Sequence, residues 1–356
     1  MKILVISFAG NGDTLFATPM IHELRANFPE ARIDVLVRWA GARGLLEGNP
    51  HVNTVYQNDL VKSGLVGSLK FLRGLRAEGY DISLNTHPQS RIHYRAVTRF
   101  IGARVRASHR YECSGPLDAV LVNRTIPQDY SLHAVENNLA LLPLVGAKAK
   151  LPTHEYELYL SPEDTKWAED VIAANRLKGR VAFGIHVGSG GTKNLALRRW
   201  PVPNFVALIR RLIASRDDLT VLLFGGPDEV DAHELIKKQC DSGRVIEVKS
   251  KSLRQAAALL KHCRGFLSVD TVLMHLAAAV KVPGQIVIET PTWNKPIEPY
   301  GQKFVLVPNP SVGGRNLDYY RYDGRAIKGT AAELASCMAS VTVDAVWQAI
   351  LSMKMQ

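Results

Sequence analysis

The chain has 356 residues, of which 46% are hydrophobic and 22% charged, and this composition is typical of a globular protein long enough for two domains. Its four cysteines show no CxxC pair or zinc-ligand spacing, and no apolar run approaches membrane-spanning length. We therefore expect a reducing compartment and no transmembrane helix, and the strand pattern starting at Lys2 leaves no room for a signal peptide. The net charge of +11 predicts an acidic partner: nucleic acid, an anionic membrane surface or a phosphorylated substrate.

The first predicted elements are a buried strand over 2–8, a helix over 15–26 and a strand over 33–37. The turn between the first two reads Ala9-Gly10-Asn11-Gly12-Asp13-Thr14. It lacks the third glycine of a dinucleotide fingerprint. Asp13 is either a helix cap or a functional carboxylate, and the glycines before it favour function because they let a ligand approach the backbone closely.

Basic residues dominate the segment 61–110, where ten lysines and arginines oppose only Glu78 and Asp81, a net charge of +8. The segment contains a predicted basic helix over 65–76, and His87 lies just after a predicted strand. Aromatic residues are few there, and the chain contains no zinc-finger, RNA-recognition or basic-zipper signature, so nucleic acid is not the expected partner. An anionic lipid surface or a polyphosphorylated acceptor fits better, and a merely solvated basic surface is the alternative.

The alternation of predicted strands and helices resumes after a connector. We predict strands over 181–187, 219–224, 245–248, 266–269 and 285–288. We predict helices over 204–215, 252–261, 273–280 and 344–355. The glycine-rich loop that begins at Gly188, with basic Lys193, Arg198 and Arg199, is similar to a phosphate cradle. It is not a P-loop, because GxxxxGK[ST] is absent.

The stretch GFLSVDTVLMHLAAAVKVP, residues 265–283, predicts a strand followed directly by a helix. Asp270 and Thr271 are good N-cap residues, and a helix N-terminus at the carboxyl end of a parallel strand is a ready anion site. An acid at that point would repel phosphate but could bind hydroxyl groups, so the pattern suggests a sugar nucleotide. The alternative is that Asp270 or Thr271 is only a cap and His275 only a packed core residue.

Several stretches in order resemble glycosyltransferase family 9, the ADP-heptose:lipopolysaccharide heptosyltransferases. They are the opening KILVISFAGNGDTLFATPMIHELRANFPEARIDVLV, then GNPHVNTV, YDISLNTH, HVGSGGTKNLALRRWP, VLLFGGPDE and SVDTVLMHLAAAVKVP. The resemblance implies a GT-B fold, an α/β architecture of two Rossmann-like domains with parallel sheets facing a central cleft. We expect an acceptor-side domain over 1–160, a connector over 161–180 and a sugar-nucleotide domain over 181–340. The last helix, within 341–356, is expected to cross back to the first domain.

The resemblance also implies roles for individual residues. Asp13 matches the catalytic base of the family's GxGD turn. The donor-binding positions are Ser189, Thr192, Lys193, Arg198, Glu229, Asp270, Thr271 and His275. We assign to the acceptor side Gly10, Asn11, Gly12, His87, Arg91 and Arg95.

Three positions depart from the family pattern. Val272 stands where a glycine usually follows Asp-Thr, and Arg198 replaces a lysine, which changes a point charge into a planar fork. The segment 289–294 reads ETPTWN where the family has FGPTDP. Because this segment is expected near the donor, a sugar nucleotide other than ADP-heptose is an alternative substrate.

These observations predict an inverting, metal-independent glycosyltransferase without a cofactor. The donor is expected to be ADP-heptose, and the acceptor an anionic lipopolysaccharide core or related surface glycan, at the inner face of the cytoplasmic membrane. No DxD motif follows a predicted strand, so a bound divalent ion is not required. A non-catalytic sugar-nucleotide-binding module and a GT-B epimerase are the alternative functions.

Overall fold

Two six-stranded sheets, parallel throughout, organise the protein. The computed structural model describes residues 1–190, 195–313 and 328–353. Contacts divide the chain into a first domain, Met1–Tyr159 with Lys295–Tyr300, and a second domain, Leu160–Asn294 with the described chain beyond residue 300. The first domain thus includes a short segment that lies far along the sequence.

The first sheet has the strand order β3-β2-β1-β4-β5-β6. Its strands are β1 Lys2–Ser7, β2 Arg32–Val37, β3 Thr54–Gln57, β4 Ile82–Asn85, β5 Val105–Arg110 and β6 Arg124–Pro127. The helices of this domain are α1 Asn11–Asn27, α2 Ala40–Leu46, α3 Gly64–Ala77, α4 Ile92–Ile101, α5 Pro116–Leu121 and α6 Ala134–Leu139. A short 3-10 helix, Leu142–Val145, follows α6.

The second sheet repeats the same topology as β12-β11-β10-β7-β8-β9. Its strands are β7 Val181–His186, β8 Leu219–Phe224, β9 Val245–Glu247, β10 Gly265–Ser268, β11 Gly284–Ile288 and β12 Phe304–Val307. Its described helices are α7 Pro162–Ala174, α8 Val202–Ser215, α9 Val230–Cys240, α10 Leu253–Leu260, α11 Val272–Ala279, α12 Ala331–Ala339 and α13 Val343–Ser352. Three 3-10 helices, Leu195–Arg198, Pro227–Glu229 and Lys295–Ile297, lie in the chain between them.

The central strands of each sheet are buried on both faces, as their nearly continuous apolar sequences predict, whereas the edge strands β3 and β6 are partly exposed. Along β1, Ile3 and Val5 pack into one core cluster while Leu4 and Ile6 pack into another on the opposite face. Phe183 of β7 belongs to the large core of the second domain. Successive side chains of a strand point to opposite faces, so such strands require helices on both sides.

The segment predicted to be a connector, 161–180, contains α7, which packs against α10 within the second domain. The last helix does not cross back to the first domain as we expected. It packs on α8, β11 and β12, because Val346, Trp347 and Ile350 are buried in the second core.

Helix α1 begins at Asn11, four residues before the predicted start. Gly10 is the N-cap, and the turn that we expected to hold Asp13 outside the helix is already its first turn.

Of the helices that the structure describes, none is by itself long and apolar enough to cross a membrane, although the bent pair formed by α12 and α13 meets that test by length and composition.

Candidate active site

The strand order reverses once in each sheet, between β1 and β4 and between β7 and β10. At such a point the loops after the two strands leave in opposite directions, and open α/β sheets bind ligands in the resulting crevice. The turn with Asp13 follows β1, and Asp270 follows β10. Both predicted groups therefore lie at a switch point of their own sheet.

In the first domain, Asp13 occupies the third position of α1 and is half-buried. Its Oδ2 accepts a hydrogen bond of 2.5 Å from the Gly10 N–H. Asn11 lies against Gly41 of α2, where an added Cβ would be 2.8 Å from the Asn11 Nδ2. Asp13 thus caps the helix, and it does so at the edge where ligands bind.

The turn before α1 is held by two neighbouring elements. The Trp39 indole N–H donates to the Ala9 carbonyl at 2.6 Å. The buried Gln89 accepts from the Phe8 N–H at 3.4 Å and donates through Nε2 to the Ile6 carbonyl. These bonds fix the loop after β1 to the loops after β2 and β4, and so position Asp13.

An aromatic group lies beside α1. Tyr156 is buried and stacks on Phe16, with ring centroids 5.9 Å apart, and His133 stacks on Tyr300 at 4.6 Å. Burial raises the pKa of the Tyr156 hydroxyl well above its ordinary value, and the charges of Tyr300 and Asp13 add to this rise. Tyr156 is therefore a protonated phenol in the electrostatic field of Asp13.

Two expected acceptor-side residues are engaged inside the first domain instead. His87 is fully buried, its Nδ1 lies 3.2 Å from the Tyr111 hydroxyl, and burial holds its pKa well below the ordinary value. Arg95 is 1% exposed and forms an ion pair with Asp118. The sequence could not show that later segments, carrying Tyr111 and Asp118, cover these side chains.

Arg91 is the N-cap residue of α4 and is partly exposed. It lines a pocket of about 550 Å³ together with His93, Cys113 and the buried Arg95. The pocket lies in the first domain, and its lining also includes Asp118, the carboxylate that pairs with Arg95. Burial lowers the pKa of His93, so Arg91 is the main cationic side chain that faces this pocket.

In the second domain, Arg198 joins two loops of the carboxyl edge. Its Nη1 donates to the Asp270 Oδ2 at 2.6 Å and to the Thr292 Oγ1 at 2.9 Å. Both charged side chains are largely buried, with exposed fractions of 8% for Arg198 and 13% for Asp270. Burial raises the pKa of Asp270, and the Arg198 guanidinium opposes that rise.

Thr271 is the N-cap of α11, and its Oγ1 accepts from the Met274 N–H at 3.4 Å. The same oxygen lies 3.2 Å from the His186 Nδ1, at the end of β7. His275 is buried in the first turns of α11. The start of α11 therefore lies beside the end of β7, while the His275 side chain is buried in the domain interior.

Glu229 is buried within a polar network. Its Oε1 accepts from the Arg199 Nη2 at 3.0 Å, and its Oε2 accepts from the Gly226 N–H at 2.8 Å. Burial would raise its pKa, but hydrogen bonds from His186 and Gly226 outweigh this effect and lower the pKa of Glu229. The carboxylate is thus ionised and already paired with a cation of its own domain.

The Gly188 loop runs directly over this carboxylate. A Cβ at Gly188 would lie 2.2 Å from the Glu229 Oε1. Ser189 is buried and its hydroxyl donates to the Leu195 carbonyl at 2.6 Å. Two further predicted donor residues, Thr192 and Lys193, lie outside the described residues.

Two residues at this edge were not among the predicted site residues. Thr292 contacts Arg198 from 94 positions away, and His186 bridges Thr271 and Glu229, with Nε2 3.9 Å from the Glu229 Oε2. His186 ends a predicted strand next to a glycine-rich loop, which was an available signal. Thr292 lies in the segment 289–294 that we expected near the donor, and it matches the threonine of the family's FGPTDP pattern, which was also an available signal.

The sequence profile described as "Glycosyltransferase family 9 (heptosyltransferase)" matches residues 68–315. This chain belongs to glycosyltransferase family 9. The match covers more than half of the chain, so this family member is a glycosyltransferase enzyme.

Three similar proteins accord with this assignment. Lipopolysaccharide heptosyltransferase 3 of Escherichia coli is 26% identical over 288 residues, which cover 77% of this chain and 79% of that protein. A family 9 glycosyltransferase of Veillonella parvula has a TM-score of 0.77 at 18% identity, covering 99% of this chain and 96% of the other. The Escherichia coli heptosyltransferase WaaC with ADP-2-deoxy-2-fluoro heptose has a TM-score of 0.70 at 20% identity, covering 99% of each chain. The two solved structures confirm the predicted GT-B fold.

The contact between Gly188 and Glu229 generates a stability prediction. We expect Gly188→Ala to lower the free energy of unfolding by about 1–3 kcal/mol, because overpacking at a close contact forces its surroundings to move. Gly190→Ala is the matched control, since its Cβ would meet Leu195 at an ordinary 3.4 Å. Urea unfolding of both variants measures the difference, and equal unfolding midpoints would show that the loop accommodates a methyl group at either position.

Proposed function

We propose that this glycosyltransferase is inverting and metal-independent, and that it moves heptose from ADP-heptose onto a lipopolysaccharide core or a related surface glycan. The observation that carries the proposal is the group at the carboxyl edge of the second sheet: Arg198 with Asp270 and Thr292, beside the α11 start at Thr271. A guanidinium next to free helix amides favours a diphosphate, and a carboxylate beside them can accept hydrogen bonds from sugar hydroxyls.

The proposed reaction is a single displacement. An acceptor hydroxyl gives its proton to the Asp13 carboxylate while its oxygen attacks the anomeric carbon of the donor. The bond from that carbon to the diphosphate oxygen breaks, and the leaving group takes the electron pair. Arg198 and the α11 N-terminus stabilise the charge that develops on the diphosphate. Attack opposite the leaving group inverts the configuration.

The choice of ADP-heptose rests on the family and on WaaC, whose structure holds an ADP-heptose analogue. The ETPTWN segment supports another sugar nucleotide as the alternative, because positions 289, 290, 293 and 294 differ from the family pattern. Thr292, which contacts Arg198, matches that pattern. The acceptor is proposed to contact the first domain at the pocket lined by Arg91, where the other arginine, Arg95, is paired with Asp118.

The first domain also presents an exposed apolar and basic face on and beside α3, which we define as Val61, Lys62, Leu65, Val66 and Lys70. Its three apolar side chains are 78%, 77% and 80% exposed, in the order Val61, Leu65 and Val66. Exposed apolar residues next to lysines are typical of surfaces that enter the headgroup region of an anionic bilayer. We propose that this face contacts the inner face of the cytoplasmic membrane, where the protein acts as a peripheral enzyme.

Several other arginines of the basic segment 61–110 form hydrogen bonds within the first domain. Arg76 donates to the Phe100 carbonyl at 2.8 Å, and Arg106 donates to the Leu121 carbonyl at 3.0 Å. Together with the buried Arg95, they account for part of the net charge of this segment. The exposed lysines of the α3 face are therefore the more informative residues for a membrane test.

Asp13→Asn tests the base. The variant keeps an oxygen that can accept the Gly10 hydrogen bond but loses the basic carboxylate, so we expect transfer to fall by roughly 10²–10⁴-fold. Donor affinity should stay near wild type, because the proposed nucleotide contacts lie in the second domain. Glu333→Gln, which alters another capping-box acid at the start of α12, is the control and should retain full turnover. Near-normal turnover of Asp13→Asn, measured with ADP-heptose and acceptor, would contradict the assignment.

Arg198→Ala tests the diphosphate site. Charge-assisted hydrogen bonds contribute about 1.5–3 kcal/mol, so we expect ADP and ADP-sugar to bind roughly tenfold more weakly or worse. Arg211→Ala, which removes an exposed guanidinium of the same domain, should leave both affinities unchanged. Calorimetry on variants shown to be folded by circular dichroism gives the comparison. An unchanged ADP affinity in Arg198→Ala would remove this residue from the site.

Lys70→Glu tests the membrane face. We expect the wild-type protein to sediment with vesicles containing phosphatidylglycerol and to dissociate as salt rises, because screening acts over about 8–10 Å at physiological ionic strength. Each basic residue at such a surface contributes about 1 kcal/mol, so the charge reversal should weaken binding roughly tenfold or more. Lys178→Glu, an exposed and charge-matched change in the second domain, is the control. Equal binding by the two variants would place the contact elsewhere.

A further inference from the structure

A cluster of three potential metal ligands lies in the first domain, apart from the residues assigned to transfer. His22 is on α1, His51 is in the loop before β3, and Glu157 is in the last segment of the domain before α7. One ligand atom from each side chain lies within 4.8 Å of the other two. This is the one such group found among the residues that the structure describes.

The cluster is already compact. His22 Nδ1 lies 2.5 Å from the Glu157 Oε1, and His51 Nε2 lies 3.6 Å from the Glu157 Oε2. The two imidazole rings are stacked, with centroids 3.8 Å apart and planes inclined by 14°. Zinc binds histidine nitrogen and carboxylate oxygen at about 2.0–2.2 Å, which places neighbouring ligand atoms of a tetrahedral site about 3.3–3.6 Å apart. The separations of the ligand atoms are therefore close to those of a tetrahedral site. One imidazole ring must also turn, because the in-plane lone pairs of two stacked rings do not converge on one ion.

The surroundings also suit a cation. The side chains of His22, His51 and Glu157 are 32%, 15% and 16% exposed, so the cluster can be reached from solvent while being largely desolvated.

The Glu157 carboxylate also has a hydroxyl group beside it. The Tyr159 hydroxyl lies 3.5 Å from both the His51 Nε2 and the Glu157 Oε2. A metal ion would neutralise the buried carboxylate, and Tyr159 would orient the ligands from the second shell of the site.

We propose that His22, His51 and Glu157 bind a divalent first-row transition metal ion, with Zn²⁺ as the best fit to two imidazoles and one carboxylate. The ion would clamp the last segment of the first domain to α1 and to the loop before β3. His22 follows Asp13 by nine residues, which corresponds to about 13 Å along the helix. The ion would therefore be structural and would take no part in sugar transfer.

The test uses the full-length protein after treatment with a chelator. Calorimetric titration with Zn²⁺ should show one bound equivalent, and Co²⁺ should give a visible absorption spectrum of a nitrogen- and oxygen-ligated ion. The melting temperature should rise with Zn²⁺ concentration, because a ligand that binds only the native state stabilises it. ADP affinity should not change, which separates this proposal from the proposed donor site.

Two substitutions locate the site. His51→Ala and Glu157→Gln should each weaken Zn²⁺ binding by roughly 100-fold or more, since each removes a direct ligand. Glu157→Gln retains the shape of the side chain and a hydrogen-bond acceptor for His22, so it guards against a folding defect in the alanine variant. His262→Ala, which removes an exposed histidine of the second domain, should bind like wild type. Absence of stoichiometric binding, or equal affinity in wild type and both ligand variants, would overturn the proposal.

Discussion

Two adjacent parallel strands cannot be joined by a tight turn, and this constraint governs the whole molecule. Each connection must return along the length of the sheet, so that every loop following a strand leaves from the same edge. Because each sheet is wound in two directions from its middle, the loops after β1 and β4, and those after β7 and β10, diverge. The chain places charged and glycine-rich segments at these two points, whereas central strands such as β1, β8 and β10 are almost entirely buried.

At the second switch point, the cationic side chain of Arg198 is held in a largely buried position. A guanidinium without a partner there would carry an uncompensated charge, and so would an isolated carboxylate. Arg198 pairs with Asp270 and also donates to Thr292, so each charge has a partner, although the buried Arg198 Nε makes no hydrogen bond to the described residues. The same contact links the loops after β7, β10 and β11, so that the group proposed to meet the diphosphate also holds these three loops together.

Much of this arrangement could be predicted from the sequence, because it depends on local order. A strand followed by glycines and an acid predicted the edge position of Asp13, and the pair Asp270-Thr271 predicted the start of α11. The burial of a side chain, in contrast, depends on which distant segments of the chain pack over it. His87 and Arg95 follow a strand in a polar segment, yet Tyr111 and Asp118 bury them. His22 and Glu157 are separated by 135 positions, so no spacing motif could have shown that they meet.

The first domain consists of two separate stretches of the chain, and this affects how it could be produced on its own. Residues 295–300 belong to it although more than a hundred residues of the second domain separate them from Tyr159. They supply the Glu298 carbonyl, 2.8 Å from the His133 Nε2, and the ring of Tyr300 that stacks on His133. A fragment that ends at residue 159 would lack Tyr300 and would expose the rings of His133 and Tyr156 to water. An isolated first domain would therefore need the 295–300 segment grafted onto it, and a simple fragment of residues 1–159 is a poor starting point for crystallisation or ligand screening.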